Sequence, residues 1–163
     1  MMDQKKIQEL ISRSQQEDAA AFSLLVSTFQ PLVFRLAFRL LCDEDEAKDM
    51  VQETFVKVWL ALGKYNGECR FSTWIYKITC NTCYDRLRSL YHSPLDNEAD
   101  YSVSVNISSD DNVEWAVVNK QLRELILRYT DELSPRQRLI FTLRDIEELD
   151  VPEVQTITGL SAG

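Results

Sequence analysis

From Phe22 to Leu62 apolar side chains return every three or four residues, a period that an α-helix buries on one face and a β-strand cannot. In residues 19–42 they are dense: Phe22, Leu25, Val26, Phe29, Leu32, Val33, Leu36, Ala37, Leu40 and Leu41 fill a wide face, with Phe34 and Phe38 toward the opposite side. Such a segment reads as the central helix of a bundle, buried on most sides. Pro31 has no amide hydrogen and crowds the preceding turn, so a break or kink is predicted near Gln30, giving two helical segments. Only four glycines and four prolines occur in 163 residues, which suits long helices better than a loop-rich β protein. That length allows one ordinary domain or two small ones.

The remaining segments keep the same period. Ile7, Leu10 and Ile11 mark a short amphipathic opening helix, and Asp18 can cap the next one. Asp43 begins a further helix, with Glu46 three residues on as a capping box and Ala47, Met50, Val51, Phe55, Val58, Trp59 and Leu62 along its apolar side; Gly63 is its predicted C-cap. Residues 64–71 form a polar loop, and a helix from Ser72 or Thr73 runs to about Tyr91. Residues 94–112 show no apolar period and read as a flexible acidic linker. Val113, Trp115, Ala116, Val118, Leu122, Leu125 and Ile126 then face a small core. Ser134 and Pro135 supply an N-cap and a first-turn proline for a helix carrying Leu139, Ile140, Leu143 and Ile146, and a short helix follows from near Val151 to Gly159.

The net charge of −8 argues against binding to arbitrary duplex, yet the charge is segregated. Residues 43–53 hold six acidic residues and one lysine, residues 64–92 hold five basic and two acidic, and residues 96–114 hold six acidic and no basic one. A local cationic face on an acidic body is compatible with this pattern. Cys80 and Cys83 have CxxC spacing but lie in helical register; no second CxxC follows, and Cys42 and Cys69 stand singly. They read as reduced thiols at a helix core, with redox or metal use as the alternative. Nothing supplies a metal ligand set, a histidine base or a cofactor site, so no catalytic residue, metal or cofactor is assigned. There is no signal peptide and no 18-residue apolar run for membrane insertion, which leaves the cytoplasm as the expected compartment.

Two surfaces carry the functional content. Lys77, Arg86 and Arg88, with Arg70 and Asn81, offer phosphate-directed cations and an amide able to pair with a base edge, interleaved with the rings of Tyr65, Phe71, Trp74, Tyr76 and Tyr84. Rings and cations together suit single-stranded or partly melted DNA. The plainer reading is a solvated basic face, with Trp74 as a packing residue. Asp49, Gln52 and Glu53 around Trp59 are either the wet side of their helix or a docking face for a basic helical partner.

The run DEDEAKDMVQETFVKVWLALGKYNGECRFSTWIYKITCNTCYDRLRS resembles region two of an extracytoplasmic-function sigma factor of bacterial RNA polymerase, whose members show a "DAEDLVQETFLRVW"-like helix, a loop and "FxTWLYRIARNxxxDxLR". The stretch ELSPRQRLIFTLRDIEELDVPEVQTITGLSAG resembles the opening of region four. The resemblance implies an all-α fold: a region-two helical domain over 1–92, a linker over 93–112 and a partial helix-turn-helix region-four domain over 113–163 without the recognition helix. It implies that Asp49, Gln52, Glu53, Val56 and Trp59 dock on the clamp helices of the largest subunit of core RNA polymerase. Residues 64–71, among them Tyr65, Asn66, Arg70 and Phe71, would help capture a flipped base of the −10 promoter element, and Lys77, Asn81, Arg86 and Arg88 would contact that element and its backbone. An anti-sigma factor is a further partner it admits, and recognition of a −35 element is expected to be weak or absent. The competing reading is a helical protein-binding regulatory module without initiation activity.

Overall fold

Pro31 does not break its helix. In the computed structural model, which describes residues 2–91, 113–130 and 132–161, α2 runs unbroken over Ala19–Leu41. Pro31 and Ser27, whose carbonyl loses its usual partner, are both exposed, so solvent can meet that carbonyl. Phe29 and Val33 stay buried on the other side and hold the rod together. The other helices are α1 (Gln4–Ser14), α3 (Glu44–Ala61), α4 (Phe71–Tyr91), α5 (Val113–Thr130), α6 (Pro135–Phe141) and α7 (Val151–Thr158), and the described residues contain no strand.

Local chemistry sets most of the boundaries. Asp18 accepts the Ala21 amide at 3.0 Å and Asp43 the Glu46 amide at 2.9 Å, each satisfying a free first-turn donor. The capping box expected at Asp43 is only half made, because the Glu46 carboxylate turns to Arg86 of α4 instead. Ser134 with Gln137, and Asp150 with Glu153, make both arms of the box, with a proline in the first turn of each helix. Gly63 is not a left-handed cap: α3 continues through Leu62 into a 3-10 turn over Leu62–Lys64, and the left-handed glycines are Gly67 and Gly159. After α6 the chain widens into a π-helical turn over Thr142–Ile146, where the Glu147 amide donates five residues back to Thr142 at 2.9 Å.

Two apolar clusters organise these helices. One joins α1 to α4 through Leu10, Ile11, Leu25, Phe29, Val33, Val51, Phe55, Val58, Phe71 and Ile75. The other joins the far end of α2, α3 and α4 (Leu36, Leu40, Met50, Tyr76, Cys80, Cys83 and Leu87) to Leu139, Leu143, Val154 and Ile157 of the C-terminal helices. Fully burying each such aliphatic side chain contributes about 1.5–3 kcal/mol. Contrary to expectation, Val118 and Leu125 are each 49% exposed; Ile126 is buried as expected, and Thr130, four residues on, turns inward with it. The side chains of Val113, Trp115 and Ala116 and the linker assigned to residues 93–112 lie outside the described residues. By length and composition α2 passes as a membrane span, with mean hydropathy 1.5, where no such run was expected. Here its Leu25, Phe29, Val33, Leu36 and Leu40 are divided between the two cores.

Candidate nucleic-acid interface and docking face

The loop between α3 and α4 is built round rings. Tyr65 lies 5.2 Å from Phe71 and 5.1 Å from Trp74, Phe71 lies 5.6 Å from Trp74, and Phe29 of α2 closes on Phe71 at 5.3 Å, all centroid to centroid. The Tyr65 hydroxyl donates to the Cys69 carbonyl at 2.7 Å, and Asn66 Oδ1 accepts the Glu68 amide at 3.1 Å, which closes an Asx turn across left-handed Gly67. Gln15, beyond the end of α1, donates from Nε2 to the Leu62 and Tyr65 carbonyls, both at 3.0 Å. Sequence reasoning missed Gln15, since nothing local marks a side chain whose partners lie about fifty residues away.

This scaffold leaves a recess of about 470 Å³ lined by Lys64, Tyr65, Asn66, Trp74 and Lys77, and on its far side by Thr156 and Ile157 of α7. Asn66, Arg70 and Lys77 are exposed, Tyr65 and Trp74 half-buried, and Phe71 buried as the floor of the ring cluster. Phe71 is therefore placed to shape the recess, and Tyr65 and Trp74 retain ring area at its edge. From Lys77 an exposed line continues along α4 through Asn81, Asp85 and Arg88, spaced at i, i+4, i+8 and i+11 on one helical face. Arg88 lies over the Tyr84 ring at 5.8 Å.

Arg86 does not share that line. Its guanidinium makes two bonds of 2.6 Å to the Glu46 carboxylate, tying α4 to α3. Hydrogen bonding to Arg86 holds the Glu46 carboxyl below the usual range, against a smaller opposing effect of burial. Lys57 adds a second tie, reaching Thr82 Oγ1 at 3.2 Å and Glu53 at 2.8 Å.

The docking residues gather on α3. Asp49, Gln52, Glu53, Val56 and Leu60 form an exposed stripe at i, i+3, i+4, i+7 and i+11, with Val56 59% and Leu60 75% exposed. Trp59 flanks it, its ring edge-on to Phe22 at 4.7 Å. Sequence reasoning passes over Leu60, which falls outside the core period of its helix as Val56 does, because a single apolar residue on a wet face carries no signal of its own.

Cys80 and Cys83 are free and fully buried. Burial pushes the Cys83 thiol up to about 12 and the Cys80 thiol well above its ordinary value. Inert core thiols fit these surroundings, and the described residues hold no cluster able to bind a metal.

Two family profiles match the chain, "Sigma-70 region 2" over residues 25–92 and "Sigma-70, region 4" over residues 123–163. The whole chain aligns with the RNA polymerase sigma-H factor of Pseudomonas aeruginosa at 29% identity and with the ECF RNA polymerase sigma-E factor of Escherichia coli K12 at 31%, covering 88% of each relative. Among solved structures, an engineered region 2 of sigmaE in complex with GTAAAA matches 56% of this chain and 95% of its own, at 37% identity and a TM-score of 0.50. CnrH, solved in complex with the cytosolic domain of CnrY, shares the fold over 98% of this chain and 85% of its own, at 22% identity and a TM-score of 0.64. A full-length match at 31% identity, with both profiles in chain order on an all-helical fold, places the chain in its family: it belongs to the extracytoplasmic-function sigma factors of the sigma-70 family.

Proposed function

We propose that this sigma factor docks on core RNA polymerase through the Asp49–Leu60 stripe of α3 and holds the opened −10 element in the recess of the 64–69 loop and along α4. As a member of its family it binds promoter DNA, acts in the cytoplasm and directs transcription without catalysing a reaction. The observation that carries the finer reading is the continuity of the recess with the exposed line on α4. A ring-edged cavity, able to take an unstacked base, opens at Lys77 onto a line in which Lys77 and Arg88 flank the Asn81 amide and the Asp85 carboxylate. Tyr65, Asn66, Arg70, Lys77, Asn81 and Arg88 would make the DNA contacts, with Phe71 and Arg86 holding the surface in shape. The complex of the sigmaE region with GTAAAA supports this assignment.

A single-stranded oligonucleotide containing GTAAAA, followed by fluorescence anisotropy, tests the DNA half. Lys77→Ala is expected to lower the slope of log K against log salt by about 0.7, the share of one phosphate contact on a single strand. An unchanged slope in both Lys77→Ala and Arg88→Ala would remove the cationic line from the interface. Binding to core polymerase tests the other half: Trp59→Ala and Asp49→Arg should each weaken it by about ten-fold or more, as for a central anchor and a reversed charge. Full polymerase affinity in Asp49→Arg would remove α3 from the contact.

An anti-sigma factor is the further partner we propose. Between α4 and α5 lies a groove of about 830 Å³ in which Leu87, Leu90, Leu127 and Leu133 stand among charges of both signs, Arg123 and Arg138 with Asp43 and Glu46. That mixture suits an amphipathic helix whose edges carry charges of both signs.

A further inference from the structure

We propose that Asp85 gives the DNA surface a sequence preference: its carboxylate accepts two hydrogen bonds from the Watson–Crick edge of a guanine in the opened strand, a base other than the one in the recess. The inference rests on the DNA reading of α4 and adds to it which base is read. Asp85 is exposed and stands between Asn81 and Arg88 on the face that begins at Lys77. It makes no hydrogen bond or ion pair with any described residue. The two cations nearest to it in sequence are engaged elsewhere. Arg86 is held in its fork on Glu46 at 2.6 Å, and Arg88 lies over the Tyr84 ring. Eight residues of helix, about 12 Å, separate Asp85 from Lys77 at the edge of the recess, so the two side chains meet different nucleotides.

An unpaired carboxylate on this face is unfavourable unless the nucleic acid gives it donors. Beside phosphates it repels, whatever the sequence. A carboxylate offers acceptors only, two of them side by side. Among the four bases guanine alone sets two N–H donors next to each other on its Watson–Crick edge, N1–H and the N2 amino group, and these match the two oxygens as a guanidinium does. Cytosine and adenine each offer one amino group beside a ring nitrogen that carries a lone pair. Thymine offers N3–H between two carbonyls. Each of the three therefore meets the second oxygen with repulsion. In closed duplex the guanine donors are taken by cytosine, and the free major-groove edge of guanine presents O6 and N7, both acceptors. Asp85 thus gains its two bonds to guanine only from an opened strand. Lys77 and Arg88 on either side supply the phosphate contacts that hold the strand against it.

The test is fluorescence anisotropy with the full chain and single-stranded GTAAAA, in which guanine or inosine replaces each base in turn. Inosine keeps N1–H and lacks the N2 amino group, so the ratio of the two affinities isolates that group at each position. At one position the parent is expected to prefer guanine by about ten-fold, within the worth of a bidentate base contact. Asp85→Asn changes an exposed side chain and should bring that ratio near one, while affinity for every oligonucleotide rises because a negative charge leaves the face. A carboxylate that is merely solvated predicts the general rise with every guanine-to-inosine ratio unchanged, and that result overturns the proposal. So does a parent without preference at any position, or a preference that survives in both Asp85→Asn and Asp85→Ala. The salt slopes of Lys77→Ala and Arg88→Ala separate the two ideas. If both match the parent, the DNA reading of α4 falls and the guanine contact falls with it. Lowered slopes with flat ratios remove Asp85 alone.

Discussion

Arg86 and Glu46 make two parallel hydrogen bonds of 2.6 Å between α4 and α3, the fork-to-fork geometry that a guanidinium and a carboxylate favour. Their side chains are 37% and 24% exposed, so solvent screening holds the contribution to about 0.5–1 kcal/mol. The Glu46 carboxyl is lowered from its ordinary value of 4.5, which fixes the sign of the acid response. Stabilisation from a depressed carboxyl is complete above the unfolded value and disappears as the pH falls through the folded one. Arg86→Ala should therefore be less stable than the parent at pH 7 in urea unfolding, with the two stabilities converging as the pH drops below 4.5. The same variant should leave the salt slope of DNA binding unchanged, in contrast to Lys77→Ala. A slope that fell in Arg86→Ala would show that the guanidinium exchanges Glu46 for phosphate in the complex. The sequence presents Arg86 and Arg88 as equivalent cations, because their difference lies in helical phase and in a partner forty residues away.

At the scale of elements, the features legible in the sequence are those decided within a turn or two. Asp18, Asp43, Ser134 and the prolines at 135 and 152 mark their helix starts because a cap and the amide it serves are three residues apart. Pro31 misleads for the opposite reason. Its local cost is real, but the packing of Phe29 and Val33 on one side and the exposure of Ser27 on the other decide the outcome. The cost of the proline remains in the folded chain. Pro31→Ala restores an amide bond and removes a crowded ring, and should stabilise the chain by about 1–2 kcal/mol after allowance for the looser unfolded state. A midpoint in urea that did not rise would mean that α2 draws something from its proline that the helix geometry does not reveal. Gly63 follows the same logic on a smaller scale: the loop's left-handed turn falls at Gly67, where the Asn66 side chain closes it.

Across the whole molecule, the contact least legible in the sequence is the one between its two halves. Residue types announce that Val154, Ile157, Tyr76 and Cys80 need burial, but no period says that they bury one another. The two thiols of α4 lie in this contact together, in one cluster with Leu139, Leu143, Val154 and Ile157. Both are fully buried, and both are pushed up first of all by that burial. Thiolate fraction and access together set the rate of alkylation, so both should react far more slowly with iodoacetamide than half-buried Cys69 in the parent. Peptide mass spectrometry reads the three rates separately. A parent in which Cys80 or Cys83 reacted as fast as Cys69 would mean that the contact between the two halves opens within the time of the reaction, because a thiol buried in that cluster can meet the reagent only through an opened form.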